Sequence, residues 1–185
     1  MPGQSVVNEI MEDRKILEKI FGYPVIGLSY PSGSYDEEAV RAFKSCGIVY
    51  SRTTKNTLKF LLPENFMEWH PTCHHRDALS LCQNFLNSLD SEWTHPLFYI
   101  WGHSHEFKTE EDWEYIEKVI SLLSGNEKIW YATNIEIYNY IKAQERLQIS
   151  ADETIFYNPS DIAVWVEKDK KQIIKIPAGE TVVMK

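Results

Sequence analysis

Two short stretches of the chain contain most of its histidines. Residues 69–77 read WHPTCHHRD and residues 98–107 read FYIWGHSHEF, and together they hold five of the six histidines in the sequence. The ordinary pKa of histidine lies close to neutral pH, which makes it a frequent general acid or base in enzymes and a common metal ligand. Acid–base catalysis or metal binding is therefore the chemistry that these residues indicate.

The elements that position these stretches alternate along the chain. Four apolar runs typical of strands each precede a helical pattern, and they read YPVIGLSY, IVYSR, PLFYIW and KIWYAT. This alternation predicts βα units with a parallel sheet or barrel. From about residue 150 the helical period is absent, and short apolar runs between turn residues predict a small antiparallel β appendage. We therefore expect two parts, residues 1–149 and residues 150–185.

Polar side chains follow the ends of the predicted strands. Ser32 follows the first strand, Arg52 ends the second, and His103 and Glu106 follow the third. In a parallel βα fold the carboxyl ends of the strands meet on one face, so we expect these side chains to converge. Arg52 and His103 come directly after apolar runs and have no capping task, which favours a functional one.

Two motifs resemble those of a known family. Residues 30–54, YPSGSYDEEAVRAFKSCGIVYSRTT, are similar to the third motif region of the polysaccharide deacetylases, the chitooligosaccharide deacetylase-like carbohydrate esterases. Pro31, Gly33 and Tyr35 match its Pro-x-Gly-x-Tyr loop. FYIWGHSHEF resembles the family's last motif, where a strand delivers a catalytic histidine, and His103 holds that position. The resemblance covers roughly residues 5–148.

The resemblance implies a task for each candidate residue. His103 would be the general acid, and Arg52 would orient a carboxylate, because Ser29 stands where the family usually has an arginine. The backbone N–H of Ser32 would hold the oxyanion. Apart from the resemblance, residues 69–77 are expected to form a loop over the mouth of the site, where Trp69 would offer a face on which a sugar ring stacks, and the alternative is that Trp69 belongs to the core. The other residues that we expect to contact substrate are Pro31, Tyr35, His74, His75 and Glu106.

The sequence also departs from the family pattern. The family carries an Asp-Asp pair and an earlier His-x-x-x-His, which supply the catalytic base and the ligands of a divalent metal, usually zinc. No Asp-Asp pair occurs here, and the motif from His70 to His74 follows the third motif instead of preceding it. We therefore expect the C-terminal two-thirds of a deacetylase domain, an incomplete (β/α) barrel, without zinc at the family's ligands. A substitute metal set of His70, His74 and His75 stays open as an alternative.

Two functions follow from these motifs. The first is a polysaccharide deacetylase-like hydrolase of C–N bonds in N-acetylated carbohydrate, inactive as this chain alone because the base and metal ligands are absent. The second is a non-catalytic carbohydrate-binding or assembly protein derived from a deacetylase. Both imply a carbohydrate partner. We also expect a homodimer, because an incomplete barrel leaves strand edges open.

Composition argues against other partners. The net charge is −8, with 27 acidic and 19 basic residues, and no basic run is dense enough to bind nucleic acid phosphates. No apolar run approaches the length of about 18 residues that a membrane span needs, and none follows Met1 as in a signal peptide. The cysteines at positions 46, 73 and 82 form no paired framework. These features predict reduced thiols and a cytoplasmic location.

Overall fold

The structure, a computed structural model, describes residues 3–91, 95–168 and 172–184. The chain groups into two compact units, Met1–Ile129 and Trp130–Lys185. Each unit has its own architecture. The units are groups of residues that lie close in space, and the domain boundary expected between residues 149 and 150 stays a prediction.

The first unit combines four helices with four very short strands among its described residues. The helices are α1 (Gly3–Phe21), α2 (Glu37–Ser45), α3 (Ala78–Ser88) and α4 (Glu110–Leu123). The strands are β1 (Gly27–Ser29), β2 (Tyr50–Arg52), β3 (Cys73–His74) and β4 (Ile100–Trp101). Single 3₁₀ turns occupy Pro31–Gly33, Phe66–Glu68, His75–Asp77 and Ser104–Glu106.

The second unit begins with one helix and continues in strands. The helix is α5 (Asn134–Glu145). The strands are β5 (Gln148–Ile149), β6 (Ile155–Tyr157), β7 (Val164–Lys168), β8 (Gln172–Ile176) and β9 (Thr181–Val183). The pairs β5–β6, β6–β9 and β7–β8 are all antiparallel. Across the described part of the chain, no helix is long and apolar enough to cross a membrane.

The prediction of an incomplete (β/α) barrel with parallel strands is wrong. The described strands form four separate sheets of two or three strands, and only β1–β2 and β3–β4 are parallel. A barrel needs each strand to pair on both sides around a closed circuit. The parallel ladders here join only three and two residue pairs, and the apolar run at residues 128–133 forms no strand. The apolar runs therefore form short separate strand pairs and not one continuous sheet.

Helix starts follow from side-chain caps. Thr133 and Glu136 form a capping box at the start of α5, and Thr109 forms another with Asp112 at the start of α4. At the start of α2 the cap is Asp36, whose carboxylate accepts a hydrogen bond from the backbone N–H of Ala39 at 2.8 Å. An aspartate at the N-cap, directly before the first helical residue, pairs one of the free N–H groups of the first turn.

Two apolar clusters hold the first unit together. One buries Tyr30, Phe43, Ile48 and Met67 against the inner faces of α1 and α2. The other buries Cys73, Ala78, Cys82 and Val119, and so joins β3 to α3 and α4. Cys73 is fully buried, and the next residue of a strand points to the opposite face. This packing therefore turns the side chain of the following residue, His74, away from the apolar cluster.

Candidate functional site

The pairing of β3 with β4 brings the two histidine-rich stretches together. The strands are parallel, with Cys73 opposite Ile100 and His74 opposite Trp101. The rings of His74 and Trp101 are 4.8 Å apart. β3 runs directly into the 3₁₀ turn His75–Asp77, and β4 is followed by Gly102, His103 and the turn Ser104–Glu106, so the two turns lie at the same end of the strand pair. The sequence motifs at residues 69–77 and 98–107 thus form one site.

Gly102 allows the two stretches to approach each other closely. A Cβ atom at this position would overlap the imidazole ring of His75. His75 is buried, and its ring packs 4.7 Å from the ring of Phe107. A glycine directly after β4 is therefore a steric requirement of the site, and it explains why the strand ends there.

Glu106 is the centre of the site. Its Oε2 atom lies 3.0 Å from Nε2 of His74, 3.5 Å from Nε2 of His75 and 3.8 Å from a guanidinium nitrogen of Arg76, and its Oε1 atom lies 3.2 Å from Nδ1 of His103. Burial acts to raise the pKa of this carboxyl group. The hydrogen bond from His103 and the charges of His74, Arg76 and His75 outweigh burial and lower the pKa. Glu106 is therefore an ionised carboxylate surrounded by groups that can carry positive charge.

Two buried atoms of the site have no hydrogen bond among the described residues, namely Oε2 of Glu106 and Nδ1 of His75. Nε2 of His74 is close to this oxygen but is not aligned with it as a donor. Burial, and then the charge of His74, lower the pKa of His75, so its imidazole is neutral near pH 7. Buried polar atoms are nearly always paired, so these two exceptions need an explanation.

A cleft of about 420 Å³ lies beside the cluster. Its walls include Arg52, Trp101, His103 and Phe107. The guanidinium carbon of Arg52 is 4.7 Å from the centre of the Trp101 ring, and one of its nitrogens donates a 3.1 Å hydrogen bond to the carbonyl of Thr53. The structure thus brings Arg52 and His103, the two residues singled out at strand ends, to the same cavity.

The third-motif loop lies outside this cleft. Pro31, Ser32 and Tyr35 are not among the described residues that line it. Ser32 adopts a left-handed backbone conformation with φ of 54°, and the ring of Tyr35 stacks on that of Tyr30 at 4.4 Å. The loop therefore belongs to the apolar core around Tyr30, and its geometry gives no support to an oxyanion donor in the cleft.

Trp69 is not available for stacking on a sugar. Its side chain is 1% exposed, and its ring makes edge contacts with the rings of Tyr50, Phe66 and Tyr99. Trp101 is the indole that the cleft presents instead. The sequence contained a sign of this, because Trp101 directly precedes the glycine at a strand end, in the motif that contains His103.

The metal set considered from sequence is not the one that the fold assembles. Nδ1 of His70 lies 2.7 Å from the hydroxyl oxygen of Thr53, and His70 is not a member of the cluster. Within the described residues, His74, His103 and Glu106 are the ones whose donor atoms could hold a metal ion. Two imidazole nitrogens and one carboxylate oxygen are a donor set that catalytic zinc sites use, so these residues fit zinc.

Comparisons of the chain with models of known protein families, with curated proteins and with solved structures found no match. The resemblance to the polysaccharide deacetylases therefore rests on the quoted motifs and stays a prediction.

Proposed function

We propose that this protein carries the substrate cleft and general acid of a polysaccharide deacetylase-like hydrolase of the C–N bond of N-acetyl groups in carbohydrate, and that the chain by itself does not hydrolyse this bond. The observation that carries the proposal is the pairing of His103 with Glu106 beside a cleft that also presents Arg52 and Trp101. Together these residues offer a proton donor, a fixed cation and a flat apolar surface for a sugar ring.

His103 is the general acid in this proposal. Its Nδ1 atom is 3.2 Å from the ionised carboxylate of Glu106, which can only accept, so Nδ1 carries the proton of that hydrogen bond. Nε2 of the protonated ring is then the atom that donates to the leaving amine as the C–N bond breaks. The side chain is 48% exposed, so a bound substrate can reach it.

Arg52 and Trp101 bind and orient in this proposal. Stacking on the indole holds the guanidinium in the cleft wall, where its planar N–H groups suit a carboxylate or a carbonyl oxygen. The Nε1 atom of Trp101 donates a 2.7 Å hydrogen bond to the side-chain oxygen of Asn56, which fixes the ring. A fixed indole loses little entropy when a sugar stacks on it.

We expect the chain to bind an N-acetylated oligosaccharide without hydrolysing it, because the family's catalytic base has no counterpart in the sequence. An NMR titration with a chitin tetrasaccharide, and with its fully deacetylated form, measures binding and selectivity. Trp101→Ala and Arg52→Ala should each weaken binding of the acetylated sugar. The matched controls are Trp130→Ala and Arg41→Ala, which change an exposed indole and an exposed guanidinium elsewhere.

Equal affinity for both sugars, or an equal loss in the controls, would remove the support for this proposal. Acetate release by the chain with added zinc would contradict the expected inactivity. A non-catalytic carbohydrate-binding protein is the second candidate, and the exposed face of the Trp101 cleft favours it. That function predicts binding that depends on Trp101 but not on Arg52, with no preference for the acetyl group.

We also propose a homodimer. The structure has no barrel, so open barrel edges no longer support a dimer. The support comes from α1 and the residues that follow it, which expose the large apolar side chains of Ile16, Ile20, Phe21 and Tyr23. Exposed apolar patches mark interfaces. Light scattering should give twice the chain mass of 21.6 kDa. Ile20→Glu should give the monomer, whereas Ile120→Glu, at an exposed position of α4, should not.

A reducing compartment such as the cytoplasm suits the three cysteines in this proposal. All three are buried free thiols. Burial, with smaller contributions from Asp77 and Cys82, raises the pKa of Cys73 to about 12. Such a thiol is protonated and unreactive at neutral pH. We expect mass spectrometry of the protein from cytoplasmic expression, alkylated after unfolding, to show three modified thiols.

A further inference from the structure

The cluster around Glu106 has the composition of a transition-metal site. The donor atoms of His74, His103 and Glu106 all lie within 4.8 Å of one another. In a tetrahedral site, metal–ligand distances of about 2.0–2.2 Å place neighbouring donor atoms about 3.4 Å apart. Oε2 of Glu106 lies 3.0 Å from Nε2 of His74, and the other carboxylate oxygen, Oε1, lies 3.2 Å from Nδ1 of His103, so each histidine is already about this far from one oxygen of the carboxylate. To bind one metal ion, the donor atoms of His74 and His103 have to move closer to each other, and the side chain of His103 is exposed enough to move.

The orientation of the donor atoms provides an independent observation. Nε2 of His74 and Oε2 of Glu106 are 3.0 Å apart, yet Oε2 is buried and accepts no hydrogen bond of normal geometry. Two ligands of one metal ion direct their lone pairs at a common centre and not at each other. A carboxylate oxygen that is close to an imidazole nitrogen but unaligned with it matches that arrangement.

We propose that His74, His103 and Glu106 bind one divalent transition metal ion of the zinc class. Two imidazoles favour Zn²⁺ or Co²⁺ over Mg²⁺ and Ca²⁺, which prefer oxygen ligands only. Three protein ligands leave one tetrahedral position for water or a ligand from the cleft, on whose wall His103 lies. Nε2 of His75 lies 3.5 Å from Oε2 of Glu106 without a hydrogen bond to it.

Metal binding changes two hydrogen bonds of the site. The metal replaces the proton shared by His103 and Glu106, so the metal-bound form and the general-acid form are alternative states of the same residues. In the structure, Nδ1 of His74 accepts a 3.4 Å hydrogen bond from the backbone N–H of Arg76. Coordination of a metal through Nε2 places the proton of the ring on Nδ1 and removes this bond. That bond is long and therefore weak, so losing it opposes metal binding only slightly.

The inference goes beyond the proposed function, because binding of the metal is measured without any sugar. Isothermal titration of the metal-stripped chain with Zn²⁺ at neutral pH should show one ion bound per chain. His74→Gln, His103→Gln and Glu106→Gln should each lower the affinity by more than about 100-fold, because the loss of a residue that only supports a ligand costs at most about that much. The matched controls His70→Gln and His105→Gln should keep the wild-type affinity.

A second measurement does not depend on how well the variants fold. In the wild-type chain, Zn²⁺ should shift the imidazole nitrogen resonances of His74 and His103 and the backbone amide of Arg76, and leave those of His70 unchanged. Absence of zinc binding, binding that survives all three substitutions, or shifts centred on His70 would each overturn the inference. Zinc binding without sugar binding would leave it standing while the proposed hydrolase function falls.

Discussion

The two units of this protein each contain a buried polar cluster, and the clusters differ in how completely their groups are paired. In the second unit, Asn158 is fully buried. Its amide nitrogen donates to the carbonyls of Ile162, Ile176 and Pro177, and its oxygen accepts from both the N–H and the hydroxyl of Ser160. Both polar atoms of the amide have partners, so the network links two turns of the sheet region without leaving an unpaired group.

The cluster of the first unit is arranged differently. Oε2 of Glu106 and Nδ1 of His75 are buried without a hydrogen bond among the described residues, although His74, His75 and Arg76 surround the carboxylate oxygen. Unpaired buried groups destabilise a fold, and they persist where binding or catalysis needs them. The comparison therefore separates a polar cluster that stabilises the fold from one whose arrangement suits a ligand.

The largest effect should come from Asn158→Ala. It leaves three carbonyls and the Ser160 groups without their partner, and each unpaired buried group costs about 1–3 kcal/mol. We expect the free energy of unfolding of the second unit to fall by about 3 kcal/mol or more. Urea denaturation followed by tryptophan fluorescence measures this. The control is Asn139→Ala, at an exposed position of α5, and a loss of similar size there would contradict the network's importance.

Gly102→Ala tests the packing of the first cluster. The added Cβ must displace the ring of His75, and overpacking of this kind costs about 1–3 kcal/mol of unfolding free energy. Gly125→Ala is the matched control, because its Cβ meets no atom within 4 Å and only its φ of +71° is unfavourable, at about 1–2 kcal/mol. Both variants lose stability, but only Gly102→Ala should shift the ring resonances of His75. An unchanged His75 ring in Gly102→Ala would show that the site does not need this close approach.

Glu106→Gln sharpens the comparison between the two clusters. The substitution keeps the shape of the side chain and removes a charge that is incompletely paired, so it should cost less unfolding free energy than Asn158→Ala. Binding of Zn²⁺ should be lost at the same time. Urea denaturation and calorimetry on the same preparation measure both properties. A variant that unfolds as readily as Asn158→Ala would mean that Glu106 stabilises the fold and is not kept for a ligand.

The sequence predicted the contents of the site better than the fold around it. The strand-end positions of Arg52 and His103 were visible as polar residues directly after apolar runs, and the structure brings both to one cleft. The prediction of a barrel was wrong because the length of a strand ladder depends on pairing between residues distant in sequence, and apolar runs do not determine that pairing. The sequence pointed to Trp101 only through its place directly before the glycine at a strand end, and it gave no sign that Trp69 is buried, because burial depends on how distant aromatic rings pack.

The smallest effect should be a change in the pH dependence of stability at His70. Burial, and then the charge of Lys55, lower the pKa of His70 in the folded chain, whereas the unfolded value is about 6.5. The unfolded chain therefore binds a proton at higher pH than the folded chain does. The stability that this difference contributes is fully present above about pH 6.5 and is lost as the pH falls from there through the folded pKa.

His75 acts in the same direction, so His70→Gln should reduce the pH slope without abolishing it. Urea denaturation between about pH 7.5 and pH 5 measures the slope across the pKa of free histidine. His105→Gln, at an exposed histidine, is the control and should leave the slope unchanged. A slope that His70→Gln does not alter would mean that burial and the charge of Lys55 do not keep the His70 ring neutral in the folded chain.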